Sequence, residues 1–62
     1  MGSREILRKL KADGWVVVNQ EGSHVQLKHP TKPGKVTVQH PKKDFSPALI
    51  RSIERQSGLK LR

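Results

Sequence analysis

Three histidines are the residues of this 62-residue chain that are best suited to proton transfer. An unperturbed imidazole has a pKa of about 6.5, so it can donate or accept a proton near neutral pH. His24 follows Gly22-Ser23, whereas His29 and His40 each precede a proline at the end of a predicted strand. We expect His29 and His40 to cap hydrogen bonds at turns, whereas His24 is predicted to point to the solvent face of the sheet. An exposed histidine after a turn is nevertheless more often a bystander.

Metal and thiol chemistry are not expected from this composition. There is no cysteine, which excludes disulfides, thiolate metal sites and cysteine nucleophiles. His24 and His29 are five residues apart on one predicted strand, so their side chains lie on opposite faces about 16 Å apart and cannot chelate one ion. No His-Glu-x-x-His motif is present. The sequence therefore predicts no metal site and no cofactor.

Length and charge indicate a single small domain over residues 1–62 with a polyanionic partner. Thirteen Lys and Arg against five Asp and Glu give a formal net charge of +8, which favours binding to nucleic acid. The two aromatic residues, Trp15 and Phe45, are too few to stack a series of single-stranded bases. Because the chain shows neither a membrane-spanning run nor a signal peptide, we expect a cytoplasmic protein.

The elements that position the histidines begin with a helix and a strand. Ser3 is a candidate N-cap for a helix whose apolar spacing is given by Ile6, Leu7 and Leu10. Gly14 is predicted to end this helix in a left-handed conformation. The β-branched run Trp15 to Asn19 then predicts the first strand.

Two further strands are predicted from alternating patterns. His24 to His29 and Lys35 to Gln39 each place valine or leucine on one face and polar side chains on the other. Glu21-Gly22 and Pro33-Gly34 are turn signals that separate the three strands. Two consecutive hairpins make a three-stranded antiparallel meander.

A second helix is predicted to follow the sheet. Ser46 is its expected N-cap, and Phe45 is placed to pack against Ile50. Its inward residues are predicted to be Leu49, Ile50 and Ile53, and it ends near Gly58. The fold class is therefore α+β, with a helix, a three-stranded antiparallel sheet and a helix in that order.

The sheet face that the two helices leave uncovered is polar and basic. From the second and third strands it presents His24, Gln26, Lys28, Lys35, Thr37 and Gln39. Such a face suits a phosphodiester backbone, although an open sheet face is polar in many proteins without any ligand. The candidate residues for contact with a nucleic acid are Gly22, Ser23, Gln26, Lys28, Lys35, Lys42 and Lys43.

Several motifs together resemble one family of small bacterial proteins. They are Asp13-Gly14-Trp15, Gly22-Ser23-His24-x-x-Leu27-x-His29-Pro30, Gly34-Lys35-Val36-Thr37-Val38 and His40-Pro41-x-Lys43-Asp44, with Ile53-x-x-Gln56-Ser57-Gly58-Leu59 at the end. This pattern resembles the HicA toxins of toxin–antitoxin modules from about Ser3 to Leu59. Two positions depart from it, since Leu27 stands at a commonly aromatic position and Gln39 where the family often has proline.

The resemblance implies a fold similar to a double-stranded RNA-binding domain. It also implies a type II toxin that cleaves mRNA through His24, the histidine of the Gly-Ser-His motif, and that a HicB-type antitoxin neutralises. A ribonuclease without metal or thiol can use the 2′-hydroxyl of its substrate, with His24 as acid or base and with Lys28 and Lys35 on the phosphate. His29, His40, Lys28 and water are open candidates for the second proton transfer.

Two other functions fit the same composition. A non-catalytic RNA-binding module has the same fold and charge, and a domain that docks on an acidic protein has the same basic face. Removal of His24 separates the first of these from a ribonuclease, because it abolishes cleavage but not binding.

Overall fold

A computed structural model describes residues 1–61 of the chain. Its elements follow the order α1 (Ser3–Asp13), β1 (Val16–Glu21), β2 (His24–Lys28), β3 (Lys35–Gln39) and α2 (Pro47–Ser57). The three strands form one antiparallel sheet in the order β1-β2-β3. The predicted α+β fold class is confirmed. Within the described range, neither helix is long and apolar enough to cross a membrane.

The core lies between one face of the sheet and the two helices. Val25, Leu27, Val36 and Val38 of β2 and β3 are all buried, as their alternation predicts. The helices contribute their apolar spacings, and Trp15 joins the core directly before β1. The buried side chains of α1, α2 and the segments beside them are Ile6, Leu7, Leu10, Trp15, Phe45, Ile50, Ile53 and Leu61. All polar residues on the opposite sheet face are thereby left outside the core.

The start of α1 differs from the prediction. Gly2 is the N-cap and makes no side-chain cap, so Ser3 is the first residue of the helix. The Ser3 backbone N–H donates to the Lys42 carbonyl at 2.8 Å, and the Lys42 N–H donates to Ser3 Oγ at 2.9 Å. Ser3 therefore fastens the segment between β3 and α2 to α1, a contact across the fold that local sequence does not reveal.

The predicted cap of α2 is confirmed, but one of its predicted core residues is not buried. The Leu49 N–H donates to Ser46 Oγ at 3.3 Å, and Gly58 ends the helix with φ 74°. Ile50 and Ile53 are buried, whereas 45% of Leu49 is exposed. Leu49 is adjacent to Ile50 on the helix, and α2 lies along the edge of β3 in a position that turns Leu49 to solvent.

The two edges of the sheet are unlike. At β3, the Thr37 N–H donates to Gln56 Oε1 of α2 at 3.2 Å, so the helix closes this edge. At β1, every residue is exposed, and the register with β2 shifts between Val17 and Asn19. This irregularity is a β-bulge, in which two residues of one strand face one residue of the other.

Candidate active site

The turn between β1 and β2 presents His24 at the start of a strand. Gly22 has φ 57°, and Ser23 does not share this positive φ. A positive φ at only the first of two central residues is typical of a type II′ hairpin turn, which favours glycine there. His24 follows as the first residue of β2 and is exposed. In the described chain, the His24 imidazole has no hydrogen-bond partner and is free to meet a ligand.

His24 lies in a row of three residues across the open face. Glu21 of β1 and Gln39 of β3 are its direct partners in the register. Directly opposed residues of an antiparallel pair have Cβ atoms about 4.5–5.5 Å apart, so both residues are neighbours of His24 on this face. The open face considered from β2 and β3 alone has no carboxylate, but β1 adds Glu21 beside the candidate catalytic residue.

Two further rows complete the open face. Asn19, Gln26 and Thr37 form the middle row, and Val16, Lys28 and Lys35 form the last. Lys35 Nζ donates to Gln26 Oε1 at 3.5 Å, which joins the two rows. The open face therefore collects four of the predicted site residues, namely His24, Gln26, Lys28 and Lys35. Lys28 is four residues from His24 along β2, which corresponds to about 13 Å.

Lys42 and Lys43 line a different surface. They border a depression beside the N-terminal half of α1, together with Arg4 and His40. A second depression continues along α1 past Arg8 and Lys11 and shares Arg4 and His40 with the first. We call the two together the α1 groove. Its cationic members are Arg4, Arg8, Lys11, Lys42 and Lys43.

His29 is committed to the structure through both ring nitrogens. Its Nε2 bonds the Asp13 carbonyl at 2.8 Å, and its Nδ1 accepts the Thr31 N–H at 3.1 Å. Both bonds form together when the proton of the ring is on Nε2, which then donates to the Asp13 carbonyl. The side chain is only 9% exposed, and its ring packs edge-on against Trp15 at 5.3 Å. The ring nitrogens of His29 are therefore not available for catalysis.

His40 is likewise part of a junction, between the sheet and α1. Its Nδ1 is 2.7 Å from Ser3 Oγ, and its backbone N–H donates to the Ser23 carbonyl at 2.6 Å. It follows Gln39 in the chain, so its side chain points to the helix side of the sheet. Ser23, a predicted RNA-binding residue, is therefore half-buried and anchored to β3 through its backbone.

A groove beside His24 is formed where α2 runs along β3. We call it the His24 groove, and it has a volume of about 200 Å³. It is bordered on the sheet by His24, Thr37 and Gln39. On the helix side it is bordered by Phe45, Leu49, Ser52, Ile53 and Gln56.

The charges around the site are largely uncompensated. Among residues 1–61 the N-terminal amine pairs with Asp44 and Lys32 pairs with Asp13, while His29 Nε2 lies 3.8 Å from an Asp13 carboxylate oxygen. The Lys32 ammonium, 2.6 Å from Asp13 Oδ2, lowers the pKa of the Asp13 carboxyl. The cations of the open face and of the α1 groove take part in none of these pairs. They remain available to an anionic ligand.

No cluster of three or more His, Cys, Asp or Glu side chains suited to a metal ion occurs within residues 1–61.

Sequence reasoning missed the neighbours of His24. Glu21 was detectable, because a two-residue turn between antiparallel strands places its flanking residues opposite each other. Ser52 and Gln56 were not, because nothing in the sequence indicates that α2 lies along the edge of β3. Leu49 was misassigned to the core for the same reason.

The family model of the HicA toxin of bacterial toxin–antitoxin modules matches residues 3–59. A solved HicA3 and HicB3 toxin–antitoxin complex contains a chain with 33% identity and a TM-score of 0.85 to this one, with 100% of both chains covered. A search of curated proteins gives no match.

Proposed function

Because the chain belongs to the HicA toxin family of bacterial toxin–antitoxin modules, we propose that it is an endoribonuclease that cleaves mRNA. The observation that carries this proposal is the state of the three histidines. His29 and His40 have structural hydrogen bonds, whereas His24 is exposed on a polar, basic face. A free imidazole on a cationic surface that can hold an RNA strand is what acid–base cleavage of RNA requires.

The cleavage reaction uses the substrate's own nucleophile. The ribose 2′-oxygen attacks the adjacent phosphorus, and the bond from phosphorus to the 5′-oxygen of the next nucleotide breaks. A base takes the 2′-hydroxyl proton, and an acid gives a proton to the leaving 5′-oxygen. The products are a 2′,3′-cyclic phosphate and a 5′-hydroxyl end. DNA lacks the 2′-hydroxyl and is therefore not cleaved.

His24 carries one of the two proton transfers in this proposal. Glu21 is the best placed group for the other, because it lies opposite His24 in the register. A carboxylate base and an imidazolium acid together complete the proton balance. His29 is a poor candidate because both of its ring nitrogens are hydrogen-bonded within the fold. His40 is a poor candidate because its ring bonds Ser3 of α1 on the helix side of the sheet, on the other side from His24. In this scheme no metal ion takes part, so chelation of divalent cations leaves the rate unchanged.

The lysines of the open face bind flanking phosphates rather than the reacting one. Lys28 lies about 13 Å from His24 along β2, beyond contact with the same phosphate group. Lys35 is opposite Lys28 and shares this position. Both residues, with Lys42 and Lys43 of the α1 groove, therefore contribute to RNA affinity and to its salt dependence. Gly22 and Ser23 hold His24 in place through the turn.

We further propose that a HicB-type antitoxin binds this chain and blocks it. The similar solved chain is part of a HicA3 and HicB3 complex. In a protein this small, His24 lies on the surface, so a partner that covers the open face excludes RNA directly.

The test compares the purified protein with its His24→Ala variant on end-labelled RNA. We expect cleavage by the wild type in chelated buffer, with a cyclic phosphate end, and loss of cleavage by the variant with RNA binding retained. Cleavage by a folded His24→Ala protein at the native rate would refute the catalytic role. Binding without any product from the wild type would instead identify a non-catalytic RNA-binding module.

A further inference from the structure

We propose that the His24 groove is a nucleobase pocket, which holds one base next to the scissile phosphate and sets the sequence preference of cleavage. This inference rests on the proposed ribonuclease function and adds a specificity site to it. The chemistry of the groove lining, the hydrogen bonds of its side chains and its position beside His24 support this role.

The lining of the groove suits a base and does not suit a phosphate. No Lys, Arg, Asp or Glu side chain borders it. Its polar side chains other than His24 are the neutral Thr37, Gln39, Ser52 and Gln56, and the rest is apolar. The α1 groove is the opposite case, with cations along its length. Phosphates are attracted to the α1 groove and to the lysines of the open face, while an uncharged planar ligand fits the His24 groove.

Hydrogen bonds within the fold determine which groups face the ligand. Gln56 is occupied, because its Oε1 accepts the Thr37 N–H at 3.2 Å and its Nε2 donates to Ser52 Oγ at 3.1 Å. This leaves the Ser52 hydroxyl proton free to donate. The Gln39 amide has no side-chain partner among the described residues and offers both a donor and an acceptor. A primary amide of this kind can bond two positions on a base edge at once.

Leu49 supplies an apolar wall for the face of the base. It is the large apolar side chain that α2 exposes, with 45% of its surface accessible. An exposed leucine alone needs no explanation. At the border of a groove that also contains two side chains able to bond a base, it provides the apolar contact that a base face requires.

The position of the groove connects the base to the reaction. His24 is one of its lining residues, so a base in the groove places its own ribose and phosphate beside the imidazole. A volume of about 200 Å³ accommodates one base but not a stacked series. The expected preference therefore concerns a single nucleotide adjacent to the cut.

The experiment maps cleavage sites in a randomised single-stranded RNA by sequencing the product ends. We compare the wild type with Leu49→Ala, Ser52→Ala and Gln39→Ala, and use Val18→Ala, an exposed valine of β1, as the matched control. The readout is the ratio of kcat/KM between the favoured base and the others, which a merely structural defect does not change. We expect this ratio to be about tenfold or more in the wild type, as for one well-formed base contact. It should fall towards unity in the groove variants and persist in Val18→Ala.

Two results separate the possible failures. A wild type that cleaves RNA without preference beside the cut, or groove variants that keep the full preference, would overturn the pocket alone. A wild type that cleaves no RNA would overturn the proposed function, and the pocket with it.

Discussion

The junction around His29 and the turn around His24 use the same side chain in opposite ways. At the junction, Gly14 comes so close that a Cβ built on it would lie 2.8 Å from His29 Nε2, and both ring nitrogens are hydrogen-bonded. At the turn, a Cβ on Gly22 would meet nothing within 4 Å, and the imidazole projects from the surface. The first histidine holds α1, the β2–β3 connection and the core together, and the second is left for a ligand.

The difference teaches that proximity to a turn does not by itself identify a functional histidine. The two residues are distinguished by the groups around them. A histidine whose two ring nitrogens are both hydrogen-bonded to the backbone stabilises the fold, and its removal lowers the free energy of unfolding. A histidine with free ring nitrogens can be replaced without a loss in free energy of unfolding, and its replacement is expected to lower activity instead.

The largest expected effect is on cleavage by His24→Ala. Loss of a general acid or base lowers kcat about 10²–10⁴-fold, while the urea midpoint of unfolding remains that of the wild type because no contact within the fold is lost. Single-turnover cleavage and equilibrium unfolding on one protein preparation measure both. A large drop in the unfolding midpoint would show that His24 is structural after all.

Gly14→Ala should be the most damaging change at the junction. It forces alanine into φ 110°, a backbone strain of about 1–3 kcal/mol, and also displaces His29. Gly34→Ala is the matched control, because Gly34 has φ 83° but no neighbour within 4 Å of a built Cβ. Urea denaturation should show the larger loss for Gly14→Ala, and equal losses would mean that the contact with His29 is unimportant.

His29→Ala should destabilise the protein and leave its chemistry intact. The change removes the partner of the half-buried Asp13 carbonyl, which costs about 1–3 kcal/mol in free energy of unfolding. We expect the urea midpoint of unfolding to fall, while kcat per folded molecule stays within about a factor of two of the wild-type value. A kcat reduced as strongly as in His24→Ala, with the fold intact, would contradict the division between the two histidines.

The smallest expected effect is the acid sensitivity of the junction. Lys32 lowers the pKa of Asp13 below its ordinary value of 3.8. A lowered carboxyl pKa contributes stability that is complete above the unfolded pKa and is lost as the pH falls through the folded value. The same holds for Asp44, whose pKa the N-terminal amine lowers. The urea midpoint of unfolding should therefore fall less between pH 5 and pH 2 in Asp13→Asn than in the wild type. An unchanged pH dependence would refute this contribution.

Much of the fold was predictable from local patterns, and the unpredicted parts depend on contacts across the chain. The alternation of β3 gave Lys35 to Gln39 correctly, and the capping residues Ser46 and Gly58 gave the limits of α2. The role of Ser3 was missed, because its partners Lys42 and His40 are distant in sequence. The β-bulge of β1 was missed too, since a run of three valines does not indicate which residue is extra.

The candidate site was predictable where one strand sets its geometry. His24, Gln26 and Lys28 alternate along β2, and the structure places them on one face. The rest of the site depends on how strands and helices meet. The register brings Glu21 to His24, and the path of α2 along β3 creates the His24 groove. Lys42 and Lys43 lie in a groove apart from the open face, because the chain after Gln39 turns towards α1.

The unlike edges of the sheet bear on how the protein behaves when its concentration rises. A bare strand edge invites pairing with the same edge of another molecule, and this can continue into aggregates. Here Gln56 of α2 accepts a hydrogen bond from an outward-facing N–H of β3, so the β3 edge is covered and does not offer a free edge to a strand of another molecule. β1 is uncovered and rich in valine, but its bulge interrupts the regular spacing that a second strand needs to match. The bulge thus opposes aggregation through the β1 edge, in a molecule whose helices cover only one edge of the sheet.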